Sequence, residues 1–95
     1  MLHIDFETRS RIDITKCGAY KYAMDDSTEV LMMAWALDDS PVKLTTDLEQ
    51  IVTLLEETLS TGDIICAHNA QFERLIMQHV LNIACTPEHL SLIHI

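Results

Sequence analysis

Between residues 42 and 67 the apolar residues change from an extended run to a helical stripe and back, and this order limits the possible folds more than any other feature. A short apolar segment, 64–67, comes soon after Gly62, a residue that suits the end of a helix. A strand–helix–strand unit requires a parallel pair of strands covered by the helix, so the chain is predicted to be α/β. Five residues fall at i, i+3, i+4, i+7 and i+11 and would form the buried face of the helix: Leu48, Ile51, Val52, Leu55 and Leu59.

Three further extended segments precede this unit. Residues 2–7 alternate apolar and polar side chains, as in a strand with one buried face. Residues 30–37 form a continuous apolar run, which predicts a strand buried on both faces, and 42–44 is its hairpin partner. The polar segment between Thr8 and Asp26 is predicted to be irregular, with Gly18 at a turn. The strands would form a three-stranded meander.

Capping residues fix the ends of the two predicted helices. Thr46 and Glu49 fit a capping box for the first helix. Asn69 is a favourable first residue for the second helix, which we expect to end at Thr86–Pro87. The predicted order is β, β, β, α, β, α in a mixed sheet.

Composition excludes several classes of protein. The 95 residues include six Lys or Arg and fifteen Asp or Glu, a formal net charge of −9, so a basic nucleic-acid module is excluded. The hydrophobic fraction of 48% excludes a disordered acidic tail. Residues 1–5 do not form a signal peptide, and we expect no membrane-spanning segment. Three cysteines without paired spacing are typical of reduced thiols, so we expect a cytoplasmic protein.

Three carboxylates stand where a metal site is expected. Asp5 and Glu7 project from the same face of the first strand, and Glu73 lies in the first turn of the second helix. Taken separately, Asp5 and Glu7 are also typical of a solvent-exposed polar edge of a sheet. Glu73 is also typical of the first turn of a helix, where a negative charge interacts favourably with the helix dipole. In an α/β sheet, however, sites form at the carboxyl ends of strands, and three converging carboxylates favour Mg²⁺ or Mn²⁺.

Two motifs carry a resemblance to a known family. Asp5–Ser10 (DFETRS) resembles the first motif of DEDD-type 3′–5′ exonucleases. Gly18–Ala23 (GAYKYA) and His68–Glu73 (HNAQFE) are similar to the proofreading region of family A DNA polymerases of phages and prophages. The resemblance covers roughly residues 1–90, in the family's order. It implies a ribonuclease H-like mixed sheet, with residues 1–90 forming the N-terminal part of a 3′–5′ exonuclease domain.

The resemblance also implies a chemistry and partners. In such enzymes two Mg²⁺ or Mn²⁺ ions promote phosphodiester hydrolysis at the 3′ end of single-stranded DNA, and a polymerase domain lies in the same chain. Asp5 matches the ligand that bridges the two metals, and Glu7 matches a ligand of one. Glu73 stands where the broader superfamily usually has Asp, so its contact is displaced by a methylene. No membrane partner is implied.

Five residues are candidates for nucleic-acid contacts. Tyr20 and Tyr22 are able to stack on bases, although packing in their loop is an equal alternative. Thr8, Asn69 and Phe72 match family motif positions near the site. Phe72 also lies on the apolar stripe of the second helix, which favours core packing.

The family's fourth carboxylate, an Asp preceded by Tyr or His, has no counterpart after Glu73, because Glu88 comes too soon. Residues 91–95 do not resemble the family and are predicted to be a non-native tail. We therefore expect a truncated domain with little or no nuclease activity alone. A stand-alone exoribonuclease of the same superfamily and a catalytically silent ribonuclease H-like interaction module remain as alternatives. The sequence does not distinguish DNA from RNA.

Overall fold

The computed structural model describes residues 1–67, 69–83 and 93–94, the last pair as backbone only. The elements, in chain order, are β1 (Leu2–Arg9), α1 (Ile14–Cys17), α2 (Ala19–Met24), β2 (Glu29–Leu37), β3 (Lys43–Thr45), α3 (Leu48–Ser60), β4 (Ile65–Ala67), α4 (Ala70–Leu75), a π-helical turn (Ile76–Val80) and β5 (Ile93–His94).

The strands form one mixed sheet in the order β3-β2-β1-β4-β5. β1, β2 and β3 pair antiparallel as a meander, whereas β4 pairs parallel to β1 and β5 pairs parallel to β4. The helix α3 connects β3 to β4, which is the predicted crossover. The predicted mixed α/β fold, a meander followed by α-β-α, is confirmed.

The hydrophobic core lies on one face of the sheet. Leu2, Ile4 and Phe6 of β1 point into it, whereas His3, Asp5 and Glu7 are exposed on the other face. The helices supply Ile51 and Leu55 of α3 and Ile76 and Met77 of the π-helical turn, all fully buried. In the part of the chain that the structure describes, the second face of the sheet is therefore open.

The prediction that β2 is buried on both faces is wrong. Leu31 is 43% exposed and Leu37 is 42% exposed, while Val30 and Met33 are buried. The pairing with β1 shifts by one residue between Glu7 and Thr8, so β2 carries a bulge at Leu31. The bulge turns Val30 toward the core and Leu31 away from it. On the other face Ala36 is buried, whereas Met32 and Ala34 are only half-buried, so the apolar run is fully covered on one face alone.

The segment between Thr8 and Asp26 was predicted to be irregular, and this is also wrong. Asp13 caps α1 by accepting a hydrogen bond from the backbone N–H of Thr15, at 2.9 Å. Gly18 joins α1 to α2 with φ +85°, the left-handed region that glycine adopts without a steric cost. The turn predicted at Gly18 is confirmed, but it connects two short helices.

The two predicted helices, α3 and α4, begin close to their predicted positions. Asp47, not Thr46, caps α3: its carboxylate accepts from the N–H groups of Glu49 and Gln50, so the predicted capping box is wrong. Gly62 follows the helix end with φ +77°, as expected of a terminating glycine. Asn69 caps α4 as predicted, by accepting from the Phe72 N–H.

The second helix ends earlier than predicted. The π-helical turn stops at Val80, and Asn82 follows with φ +54°, which breaks the helix before residue 83. Thr86–Pro87, the predicted end, lies outside the described residues. Glu88, Cys85 and residues 91, 92 and 95 of the predicted non-native tail also lie outside them, so the nature of that tail stays a prediction.

Two expectations concern the surroundings of the chain. Cys17 and Cys66 are free thiols, in agreement with the expectation for these two cysteines. Within residues 1–67 and 69–83, no helix is long and apolar enough to cross a membrane.

Candidate active site

β1 and β4 are parallel neighbours, but β1 extends further than β4, and the site lies where β1 extends beyond β4. Their register joins Leu2 to Ile65 and Ile4 to Ala67. Among the described residues, β4 ends at Ala67 and pairs with β1 only as far as Ile4, whereas β1 continues to Arg9. The chain leaves β4 and enters α4 at Ala70. The first turn of α4 therefore lies beside the unpaired end of β1.

Glu73, in the first turn of α4, occupies the place that a longer β4 would fill. Backbone N–H groups of even-numbered β1 residues face β4, as the 2.9 Å hydrogen bond from Leu2 to the Ile64 carbonyl shows. Beyond the end of β4, the N–H of Phe6 donates instead to the Glu73 carboxylate. Glu73 is 3% exposed. Its Oε2 atom is buried and has no hydrogen-bond partner among the described residues.

The environment of Glu73 favours its neutral form. Burial, together with the nearby negative charge of Asp5, raises the pKa of Glu73 from 4.5 to about 8. The hydrogen bond from the Phe6 N–H opposes both effects because it stabilises the charged carboxylate. A carboxylate that is buried, partly unpartnered and next to another acid is a common feature of functional sites.

The predicted metal ligands are only partly brought together. Asp5 and Glu73 interact electrostatically across the end of β1, and the role of either residue as a metal ligand stays a prediction. Glu7 projects from the exposed sheet face with Asp5, but it does not contribute to the shift of Glu73. Within the residues described, no group of three or more His, Cys, Asp or Glu side chains is arranged to hold a metal ion.

The donor chemistry nevertheless fits a hard divalent cation. Mg²⁺ is commonly bound by one or two carboxylates, with waters and substrate phosphate oxygens completing its coordination. Asp5 is exposed and Glu73 presents an unpartnered buried oxygen beside it. A cation here would neutralise both carboxylates and remove the electrostatic cost that raises the pKa of Glu73.

Three of the predicted nucleic-acid contacts form a cluster behind the carboxylates. The Tyr22 hydroxyl and Thr8 Oγ1 lie 3.0 Å apart in a hydrogen bond. The ring of Tyr22 packs against that of Phe72, with centroids 6.1 Å apart. Tyr22 is buried and Phe72 is half-buried. These contacts fix the start of α4 against β1, and a contact of the three side chains with nucleic acid stays a prediction.

The other two predicted contacts are more accessible. Tyr20 is 59% exposed and meets His79 edge-on, with centroids 5.6 Å apart. Asn69 is exposed, and its side chain caps α4. Among the cations near the site, Arg9 pairs with Glu29, and Arg11 pairs with Asp26.

Sequence reasoning missed the backbone partner of Glu73. The sequence shows only an acid in the first turn of a helix. Its partner, the Phe6 N–H, is identified by the structure, because β1 (residues 2–9) extends beyond the end of β4 (residues 65–67). It also missed Ala34, which lies opposite Asp5 in β2 and lines a shallow depression beside it.

Comparisons with known proteins identify a relative among phage proteins. No protein-family model matches the chain. Over 90 residues, 90% of its length, it is 41% identical to a protein of Bacillus phage SP02 described as a DNA polymerase. The chain spans 14% of the length of that relative. It is therefore related in sequence to a segment of a phage DNA polymerase.

Proposed function

We propose that the chain is the N-terminal part of a metal-dependent 3′–5′ exonuclease region associated with a DNA polymerase, with a proofreading role. The observation that carries the proposal is Glu73, a buried carboxylate with an unpartnered oxygen beside Asp5 at the ends of two parallel strands. The similarity to a phage DNA polymerase supports the association with DNA synthesis.

Asp5, Glu7 and Glu73 are the residues that would hold Mg²⁺ or Mn²⁺, two ions in the complete domain. Bound metal ions in such a pair polarise a water and stabilise the oxygen that leaves the phosphorus. Asp5 is at the open face and is accessible to both ion and substrate. Glu73 is held by the Phe6 N–H, which orients its free oxygen without help from the metal.

The surrounding side chains position the carboxylates. The Thr8–Tyr22 hydrogen bond and the Tyr22–Phe72 contact join β1, α2 and α4, the elements that define the site. Tyr20 is exposed and available to stack on a base of a single strand. The partners we propose are the 3′ end of single-stranded DNA and a polymerase domain in the same chain.

A Mn²⁺ titration of the purified chain, followed by the electron paramagnetic resonance signal of free Mn²⁺, tests the metal site. We expect saturable binding that weakens at least tenfold in Asp5→Asn and in Glu73→Gln. Glu57→Gln, which removes one exposed acid from α3, is the matched control and should bind as the wild type does. Equal binding by Glu73→Gln and wild type, or no binding at all, contradicts the proposal and favours a silent interaction module.

Incubation with Mn²⁺ and 3′-labelled single-stranded oligonucleotides tests the chemistry. Because the fourth carboxylate has no counterpart in the sequence, we expect little or no shortening of DNA by the 95-residue chain. Robust shortening of DNA that disappears in Asp5→Ala would refute the need for a fourth ligand. Shortening confined to RNA would indicate an exoribonuclease instead.

A further inference from the structure

Two sulfur atoms meet on the open face of the sheet, apart from the carboxylate site. Cys66 is the central residue of β4, and its thiol donates to the thioether sulfur of Met1, with Sγ and Sδ 3.3 Å apart. Met1 is 39% exposed and Cys66 is half-buried, so a small solute has access to this contact. The two residues are 65 positions apart along the chain, and the pairing of β1 with β4 brings them together.

The backbone of Met1 is held independently of the sulfur contact. Its ammonium group pairs with Asp38 at 2.9 Å and with Asp63 at 3.1 Å. Its carbonyl oxygen accepts from the Asp38 N–H, also at 2.9 Å. Only the unbranched, flexible side chain of Met1 therefore has to move when a ligand enters between the two sulfur atoms.

His3 adds a third group of metal-ligand type. It lies directly opposite Cys66 in the parallel pairing of β1 with β4. Neighbouring strands are about 4.8 Å apart. The residues on either side of His3 are buried in the core, and so are those on either side of Cys66, so both side chains project from the open face. A thiol, a thioether and an imidazole thus belong to one surface patch.

This set of groups favours a soft cation. Thiolate and thioether sulfur select Cu(I), and imidazole also suits copper, whereas the carboxylates of the candidate active site favour hard cations. Zn²⁺ is usually held by three or four Cys, His, Asp or Glu side chains, and no such group is arranged for a metal within residues 1–67 and 69–83. Cu(I) accepts fewer ligands, and the sulfur of methionine is among them.

We propose that Met1, His3 and Cys66 form a binding site for Cu(I). The S–H bond of Cys66 breaks, its proton passes to solvent, and Cu(I) takes the place of that proton between the two sulfur atoms. Bonds form from copper to Sγ, to Sδ and to a nitrogen of the imidazole. One positive charge replaces another, and copper stays Cu(I) throughout, so no oxidant or reductant takes part. The site does not depend on the proposed exonuclease function.

Anaerobic competition with bicinchoninate, a chelator that is coloured when it holds Cu(I), tests the site. The wild-type chain should withdraw one Cu(I) per chain from the chelator. Cys66→Ser should raise the Kd at least hundredfold, and His3→Gln should raise it at least tenfold. Cys17→Ser, which changes the other half-buried free cysteine, is the matched control and should bind as the wild type does.

X-ray absorption at the copper edge identifies the ligands without any variant. In the wild-type chain labelled with selenomethionine, we expect both sulfur and selenium in the first shell of copper. Copper without selenium in that shell would exclude Met1 and overturn the proposal, and so would a wild-type chain that withdraws no Cu(I).

Two competing locations for copper are distinguished by the same variants. Binding at full affinity in Cys66→Ser would place the ion at another cysteine and overturn the proposal. Cu(II) is able to bind an amino terminus through backbone nitrogens, but the Leu2 N–H donates to the Ile64 carbonyl oxygen at 2.9 Å and is not free. Binding of Cu(II) in preference to Cu(I), unchanged in Cys66→Ser, would assign copper to the amino terminus and overturn the proposal as well.

Discussion

The carboxylate of Glu73 accepts the backbone hydrogen of Phe6, the first even-numbered position of β1 that β4 does not reach. A side chain thus completes the hydrogen bonding of a strand end that the sheet leaves unpaired. This arrangement leaves the second carboxylate oxygen, Oε2, buried without a partner among the described residues. The cost of charging that group is the basis of the first two predictions.

Without divalent cations, the chain should lose stability as the pH rises from 4.5 to about 8. In this range the folded chain retains a proton on Glu73 that the unfolded chain has released, because the folded pKa is about 8 and the ordinary value is 4.5. The stabilising contribution is complete below pH 4.5 and disappears as the pH passes the folded pKa. Since one pKa unit corresponds to about 1.4 kcal/mol, the free energy of unfolding should decrease by at most about 5 kcal/mol.

Urea unfolding in chelator-treated buffers from pH 5 to 9 measures this effect in wild type and in Glu73→Gln. The neutral amide keeps an acceptor for the Phe6 N–H and does not titrate. The loss of stability with rising pH should therefore appear in the wild type and be absent from Glu73→Gln. Parallel stability curves for the two proteins would show that Glu73 titrates normally.

Mn²⁺ should stabilise the chain more at pH 8 than at pH 5. A cation competes with the proton for Glu73, so binding improves as the carboxyl group ionises. At a Mn²⁺ concentration one hundred times the Kd, the expected gain is about 2.7 kcal/mol. Thermal unfolding with and without Mn²⁺ measures it, and Asp5→Asn should lose most of the gain. An equal gain in Asp5→Asn would place the ion elsewhere.

The hydrogen bond between Tyr22 and Thr8 should stabilise the fold measurably. Tyr22→Phe and Thr8→Val should each lower the free energy of unfolding by about 1 kcal/mol. Each change removes one of the two hydroxyl groups and leaves the other, partly buried, without this hydrogen bond. In a double-mutant cycle the two changes should be less than additive. Tyr20→Phe is the control. Tyr20 is 59% exposed, so loss of its hydroxyl should change the free energy of unfolding by less than about 0.5 kcal/mol. Full additivity would show that the hydroxyls do not interact.

The start of α3 distinguishes two adjacent capping candidates. Asp47→Ala should cost about 1 kcal/mol because the carboxylate accepts from two N–H groups in the first turn. Thr46→Ala should change stability by less than about 0.5 kcal/mol. Chemical denaturation of the two variants at one pH decides between them. A larger loss for Thr46→Ala would restore the capping box that the sequence predicts.

The order of the first strands and helices along the chain, and the mixed sheet, were predictable because both follow from long patterns. The alternation in residues 2–7 and the helical stripe of α3 define which faces are buried, and a parallel crossover then brings the first turn of α4 to the end of β1. The link from Phe6 to Glu73 was not predictable, since it depends on the residue at which β4 ends.

Shorter features escaped prediction for a physical reason. The helices α1 and α2 have four and six residues, fewer than two turns, so they show no helical period. The bulge at Leu31 inserts one residue into an apolar run whose members are chemically alike, and nothing in the run indicates where the alternation shifts. Asp47 and Thr46 are neighbouring capping residues, and only the backbone geometry selects between them.

The position of β3 at the border of the sheet bears on aggregation. β3 has only three residues, Lys43–Thr45, and ends the strand order on its side. Pro41 precedes it and cannot donate a backbone hydrogen bond, while Lys43 places a charge on the border strand. Another chain that added a strand here would gain few backbone hydrogen bonds, and covering the charge of Lys43 would cost free energy. The sheet therefore has a built-in protection against edge-to-edge growth on this side, despite the apolar side chains that flank it.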